Sequence, residues 1–442
     1  MDIMELKQII KDCGVAGAGG AGFPSYAKLD SKTDEIILNG AECEPLLSVD
    51  KQLLKKYPYE IISTFDLVAK VVGAKKAIIS IKSEYVDTIE AVQAELEYFP
   101  NVSIKLLQNV YPTGDELVLI YDTLGKVVAP GSFPIDIGVA VFNVETMYNI
   151  YKAINFREGV SRKYLSIVGE VANPITIGVP IGMTVKEVVD LAGGQTLDDP
   201  AYIMGGPMTG KIVGPYEVIK KTSNAVLVLP KDHYLVRKQQ ANIAYELKKA
   251  SSTCCTCEMC TNLCPRNLLG HPITPHTFMR NASSGITYNT EPYINTLYCS
   301  SCGICEMYAC PQSLSPRKLI SKYKDELKKN GVPTPKIDSK RVDANREYRK
   351  VPMKRLISRL DLEQYNISAE LVDFIPEVKR TKVDLNQSLG VSPKPVVNKG
   401  DIVEQGQMIG KADDEKLSLP VHSPISGKVL EVNDKSIMIQ SI

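Results

Sequence analysis

The 442-residue chain has no tryptophan, four histidines and almost no net charge, since 52 lysines and arginines balance 51 aspartates and glutamates to +1. The missing tryptophan excludes nothing by itself. The charge balance excludes a partner gathered by bulk electrostatics, so neither a nucleic acid nor an anionic membrane surface is expected. No apolar run approaches the ~18 residues of a membrane span. The start, Met1-Asp2-Ile3-Met4-Glu5, carries neither the basic nor the apolar segment of an export signal, so a cytoplasmic location is expected. Low-complexity tracts and tandem repeats are also missing. His233, His271, His276 and His422 form no metal-ligand spacing, and His271 and His276 read as packing residues. What remains is an ordinary globular composition, 44% hydrophobic and 23% charged, on a length suited to about three domains.

Cysteine breaks this plainness. Nine of the 11 cysteines fall between Cys254 and Cys310. Cys254, Cys257, Cys260 and Cys264 follow C-x2-C-x2-C-x3-C-P, and Cys299, Cys302, Cys305 and Cys310 follow C-x2-C-x2-C-x4-C-P. A tight triplet brings three thiolates to one side of an iron–sulfur cube, and the proline turns the fourth cysteine towards the other cube. The pattern resembles that of two-cluster bacterial ferredoxins. It assigns Cys254, Cys257, Cys260 and Cys310 to one [4Fe-4S] cluster and Cys299, Cys302, Cys305 and Cys264 to a second. Zinc sites usually pair two C-x2-C knuckles instead, and disulfide frameworks suit small secreted chains. Cys255 reads as a spare thiol. The 34 residues between Cys264 and Cys299 exceed what a compact ferredoxin needs and read as a place for acceptor docking.

The N-terminal part alternates helices and strands. Helical periodicity covers 5–12, 51–72 and 84–98; strands are expected at 36–38, 76–81, 104–107 and 139–142, which implies an α/β sheet. A glycine-rich loop runs from Gly14 to Pro24 with Lys28 beyond it. Such a loop frees backbone N–H groups for an anion, here a phosphate. It matches neither the P-loop nor a dinucleotide fingerprint after a strand, and a loop of this kind alone is also ordinary turn punctuation. Three polar motifs lie at other element ends: Asn39-Gly40-Ala41-Glu42-Cys43-Glu44-Pro45, Tyr111-Pro112-Thr113-Gly114-Asp115-Glu116 and Asn143-Val144-Glu145-Thr146.

Together these motifs resemble the flavin- and NADH-binding subunit of respiratory complex I and, more closely, the C subunit of Rnf electron-transport complexes. The resemblance implies FMN and a nicotinamide. It puts Gly17, Gly19, Gly20, Gly22 and Lys28 on the flavin phosphate and ribityl chain, and Asn39 and Glu42 near the flavin ring. Phe23 would face the adenine; Tyr111, Gly114, Asp115 and Glu116 would line the nicotinamide side; Asn143 and Thr146 would hold the flavin. Glu42 and Glu116 are the groups expected to tune charge and position at the reacting ring. Ala41 departs from the aspartate usual in complex I subunits. Cys43 is expected to be a small buried residue.

The remaining segments complete a multidomain α/β chain. Residues 1–158 are the expected FMN/NADH-binding α/β domain and 159–232 resemble a β-grasp (SLBB) module with a helix at 184–192. A helix at 234–250 opens a ferredoxin-like helical domain with two [4Fe-4S] clusters, 233–332, which ends on a helix at 316–329. A linker, 333–369, leads to a barrel-sandwich hybrid of biotinyl/lipoyl type, 370–442. Its P-V-H-S-P-I-S-G-K-V run lacks the lysine motif of a modified carrier and reads as structural. No corrin-binding D-x-H-x-x-G motif is present.

In this domain order the barrel follows the clusters, whereas the Rnf C subunit carries it first. The order resembles that of the cobalamin reductases of propanediol-utilisation bacterial microcompartments. That resemblance implies electron flow from NADH through FMN and two [4Fe-4S] clusters to the cobalt of cobalamin. It also implies adenosyltransferase and shell proteins as partners inside a microcompartment. A general electron-transfer protein serving a protein acceptor, and a non-catalytic assembly subunit, are the alternatives.

Overall fold

The computed structural model describes all residues from Met1 to Ile442. Helix α1 (Ile3–Asp12), with Asp2 capping its first N–H groups, precedes the glycine loop. Strand β1 (Glu35–Gly40) is followed by α2 (Val49–Lys56) and α3 (Pro58–Val72), then β2 (Lys76–Lys82), α4 (Val86–Leu96) and β3 (Val102–Leu107). The single helical period expected over 51–72 is two helices. Pro58 opens α3 at its first turn, where a missing N–H costs nothing but a preceding helix must stop. After β4 (Val110–Tyr111) and α5 (Glu116–Leu124) come β5 (Val139–Asn143) and α6 (Val144–Phe156).

The four long strands form one parallel sheet in the order β3-β2-β1-β5. Ile36, Ile37 and Leu38 are wholly buried, as expected for a strand covered on both faces. Strand order reverses at β1 and β5, so their carboxyl ends form the crevice where open parallel sheets bind ligands. Asn39 and Asn143 are register partners at that edge.

The next module is a mixed sheet built from β6 (Arg162–Gly169), β7 (Ile175–Pro180), β8 (Pro200–Met204), β9 (Lys211–Val213) and β10 (Ala225–Pro230). Helix α7 (Val185–Leu191) packs on it, held by reciprocal Thr184–Glu187 capping. The helix expected over 234–250 is interrupted at Asn242, whose side chain caps a new start. The result is α8 (Tyr234–Gln240) and α9 (Ile243–Thr253).

The cluster domain continues with α10 (Met259–Asn262), α11 (Pro265–Leu268), α12 (Pro275–Ser283), α13 (Glu291–Ile294), α14 (Ile304–Met307) and α15 (Pro316–Lys329). The segment expected as a linker is not loosely held. Ile337 N–H donates to the Pro130 carbonyl and Lys340 N–H to that of Gly270. Buried Arg346 pairs with Asp122 at 2.8 Å. Next, β11 (Val351–Pro352) pairs with β4, α16 (Met353–Arg359) buries Leu356, and β12 (Leu371–Val372) adds to β7. This strap ties the flavin domain, cluster domain and β-grasp module together.

The C-terminal barrel has a four-stranded and a three-stranded sheet. Its Val383, Leu385 and Ile437 share one core with Leu6 and Ile10 of the flavin domain. The hairpin that presents a modified lysine in carriers is docked here: a Cβ on Gly159 would lie 2.4 Å from the His422 ring.

Candidate functional site

The polar motifs converge on the β1/β5 crevice. The glycine loop folds over β5 because Ala18 N–H donates to Thr146 Oγ1 at 2.9 Å. A Cβ on Gly19 would stand 3.2 Å from Asn143 Nδ2, while one on Gly20 would meet nothing within 4 Å. Gly19, Gly20 and Ala21 are exposed, so their backbone borders an open cradle above Asn143. Gly22 has φ +67°, and a Cβ there would meet Thr222 at 2.9 Å. Gly17 N–H is bonded to the Phe23 carbonyl at 2.8 Å, and the Phe23 side chain is half-exposed.

Charge at the crevice is paired. Lys28 Nζ donates to Glu116 at 3.1 Å and to the Val141 carbonyl at 2.9 Å. Asn39 Nδ2 donates to the Gly114 carbonyl at 3.0 Å, and a Cβ on Gly114 would meet the Ala41 carbonyl at 2.9 Å. Only glycine lets these two loops touch. Asp50 accepts two hydrogen bonds from Asn143 Nδ2, each 2.8 Å. Burial, and then the Glu42 carboxylate, hold the Asp50 carboxyl well above its ordinary range. Beneath it, Lys163 and Glu145 form a buried ion pair.

Three expected site residues occupy other positions. Glu42 is buried and turned into the fold, accepting from Val49 N–H at 2.8 Å at the start of α2, and its Oε2 has no partner. Asp115 caps α5 and pairs with Arg266 of the cluster domain at 2.8 Å. Tyr111, expected on the nicotinamide side, is 3% exposed and its hydroxyl donates to the Cys302 carbonyl at 2.7 Å. This contact follows from β4: pairing with β11 brings the loop against the cluster domain. Asp50 and Arg266 were not legible as site residues. Each lies well outside the motif that it supports, with no local spacing to mark it.

The cysteines gather as the spacing requires. Cys254, Cys257, Cys260 and Cys310 line one cavity, and Cys264, Cys299, Cys302 and Cys305 line another. The two triplets repeat one backbone course. Thr256 and Glu258 flank Cys257 with positive φ, as Ser301 and Gly303 flank Cys302. Each triplet then enters a one-turn helix, α10 or α14. Such turns aim N–H groups inwards: Ser301 N–H reaches Cys299 Sγ at 3.2 Å, and beyond the second triplet Leu314 N–H reaches Cys310 Sγ at 3.4 Å. No three ligand-type side chains close to the separation of ligands around a single ion. Four cysteines lining each cavity are the number and type of donor that an iron–sulfur cube takes, and on that ground the residues fit a cluster in each. The exposed glycine backbone above Asn143, which a Cβ on Gly19 would press upon, fits a flavin phosphate.

Fold and sites thus define a multidomain oxidoreductase with a flavin-binding α/β domain coupled to a ferredoxin-like domain. Residues 10–152 match the Nuo51 FMN-binding domain family, 164–211 the SLBB domain, 253–315 the 4Fe-4S dicluster domain and 364–441 the RnfC barrel sandwich hybrid domain. The chain is 36% identical to cobalamin reductase PduS of Citrobacter freundii, covering 99% of this chain and 97% of that protein. It is also 36% identical to cobalamin reductase PduS of Salmonella typhimurium strain LT2, over 98% of this chain and 96% of that protein. Among solved structures, an NAD+-reducing [NiFe]-hydrogenase in the H2-reduced state shares the fold with a TM-score of 0.50 at 21% identity, covering 74% of this chain and 63% of its own. The chain belongs to the PduS cobalamin reductase family. No helix is long and apolar enough to cross a membrane.

Proposed function

We propose that the protein takes hydride from NADH at the β1/β5 crevice and delivers single electrons through two [4Fe-4S] centres to the cobalt of cobalamin. One NADH then reduces two Co(III) to two Co(II), releasing NAD+ and one proton. A flavin supplies the conversion between two-electron and one-electron chemistry. The chain's own residues bind and orient. The exposed backbone of Gly19 to Ala21 would hold the FMN phosphate; Asn143 and Thr146 fix that loop and the flavin edge; Asn39 holds the Gly114 turn in place. Lys28 and Glu116 form the charged wall where a nicotinamide would approach. Cys254, Cys257, Cys260 and Cys310 would hold one cluster, and Cys264, Cys299, Cys302 and Cys305 the other.

The observation that carries this reading is the Tyr111–Cys302 hydrogen bond. It joins the loop whose Gly114 and Glu116 meet Asn39 and Lys28 at the crevice to the turn that carries Cys302, which supports the reading. The match to an RnfC barrel supports a second reading, delivery to a protein acceptor. On the domain order alone, adenosyltransferase and shell proteins would be neighbours within a microcompartment. Anaerobic reconstitution tests the core claim. Flavin absorbance, about eight iron atoms for two cubes and NADH-driven reduction of cob(III)alamin are expected; fewer than about seven irons without flavin would refute it. Rapid turnover with a protein acceptor and none with cob(III)alamin would favour the second reading.

A further inference from the structure

The two cysteine tetrads have different surroundings. Cys302 is bonded through its carbonyl to Tyr111, and Arg266, two residues after Cys264, pairs with Asp115 at 2.8 Å. Leu263, Pro265 and Ile304, which adjoin cysteines of this tetrad, line one cavity together with Tyr111 and Val118 of the flavin domain. Cys264 and Cys305 are buried.

The other tetrad looks outward. Both tetrad cavities are lined only by residues of the cluster domain, and Cys310 is buried, so the difference lies at the Cys257 end of this tetrad. Cys255 and Cys257 are exposed, and so are Thr256, Glu258 and Met259. The 34-residue insert, expected as the docking place, is divided: Phe278 and Met279 are buried against Leu319 and Ile320 of α15, whereas Tyr288 is 88% exposed. A wire needs one end at the flavin and one end at solvent, and these tetrads supply the two ends in that sense.

Resting on the two-cluster reading above, we infer that the Cys264/Cys299/Cys302/Cys305 tetrad receives electrons from the flavin and that the Cys254/Cys257/Cys260/Cys310 tetrad discharges them through the exposed 255–259 edge. The transfer moves one electron per step and breaks no bond. NADH is the reductant, and the acceptor that meets residues 255–259 is the oxidant.

Single-tetrad variants test the order. Cys257→Ala and Cys302→Ala are reconstituted with iron, sulfide and FMN, then followed by iron content and by electron paramagnetic resonance after rapid mixing with NADH. Each is expected to retain about four irons, one cube. In Cys257→Ala the remaining cluster should be reduced at the wild-type rate. In Cys302→Ala the flavin should still be reduced, with the remaining cluster reduced at least tenfold more slowly. The opposite pattern, or equal rates, would overturn the order. Wild-type protein lacking flavin or eight irons would instead refute the cofactor reading itself.

A second variant keeps every cysteine. Met259→Arg should leave NADH reduction of both clusters unchanged and slow cob(III)alamin reduction about tenfold. An unchanged acceptor rate would overturn the exit edge. A wild-type protein inert towards cob(III)alamin would refute the proposed acceptor, and the cysteine variants would still decide the order.

Discussion

Tyr111 and Cys302 are joined by a 2.7 Å hydrogen bond from the phenol hydroxyl to the backbone carbonyl, although 191 residues separate them in the chain. Tyr111 is buried, so removing the hydroxyl leaves that partly buried carbonyl without its donor. Tyr111→Phe is expected to cost about 1–3 kcal/mol, the range for a buried polar group left unpaired. Denaturant unfolding measures this directly. If the bond also positions the cluster turn, NADH-driven cluster bleaching should slow while flavin reduction by NADH keeps its rate. Unchanged stability and unchanged bleaching would remove the bond from both roles.

The second tie between the same domains is ionic. Asp115 and Arg266 are both largely buried, with 13% and 12% of their side chains exposed. Removing one partner of such a pair is costly, about 3–5 kcal/mol, because the other charge is stranded. Arg266→Met should therefore destabilise the fold by several kcal/mol, and Asp115→Asn by a similar amount that includes its cap on α5. The double variant should recover much of the loss. A double-mutant cycle with no coupling energy would show that the pair contributes nothing beyond its separate contacts.

Local signals in the sequence located the sheet and the cysteines, and distance in the chain hid the rest. Apolar runs such as Ile36 to Leu38 announce buried parallel strands, and the repeated C-x2-C-x2-C spacing brings each tetrad to its own cavity. The polar, proline-containing run after residue 332 looked like a linker because its contacts are remote. Arg346 meets Asp122 across 224 residues, and Thr176 donates to the Ala369 carbonyl. The contact of Tyr111 was hidden for a related reason. Its motif indicates a ligand-facing loop, yet β11, 240 residues later by register with Val351, turns the side chain to the clusters.

Lys221 sits where the flavin domain, β-grasp module and barrel meet, donating to the Gly14 carbonyl at 2.7 Å and the Pro420 carbonyl at 3.1 Å. It is 3% exposed, and burial lowers it from 10.5 to about 7. Between those values the unfolded chain binds a proton that the folded chain lacks, so this lysine makes stability rise with pH. Its burial penalty is fully felt below pH 7. Cys13, pushed by burial from 9.0 up to about 11, acts in the opposite sense above pH 9. The clean window is therefore pH 7 to 8.5. There wild-type stability should climb relative to Lys221→Met by up to about 1.4 kcal/mol per pH unit. Parallel stability curves would show that Lys221 does not titrate in this range.

Gly19 separates the scaffold from the cofactor site. A Cβ there would press on Asn143 Nδ2 at 3.2 Å, and that nitrogen is committed to both oxygens of Asp50. Asn143 must give way by tenths of an ångström, directly under the exposed glycine backbone. Gly19→Ala is therefore expected to change fold stability by less than about 1 kcal/mol, since the rest of the core is untouched. FMN affinity should fall about tenfold, read as flavin retained after gel filtration at a fixed FMN concentration. Gly73 is the counter-case. It ends α3 at φ +76°, and a Cβ there would meet nothing within 4 Å. Gly73→Ala should lower stability by about 1 kcal/mol through backbone strain alone and leave FMN affinity unchanged. If the two variants lost flavin equally, the loss would reflect general loosening of the domain, and the glycine loop would have no special claim to the cofactor.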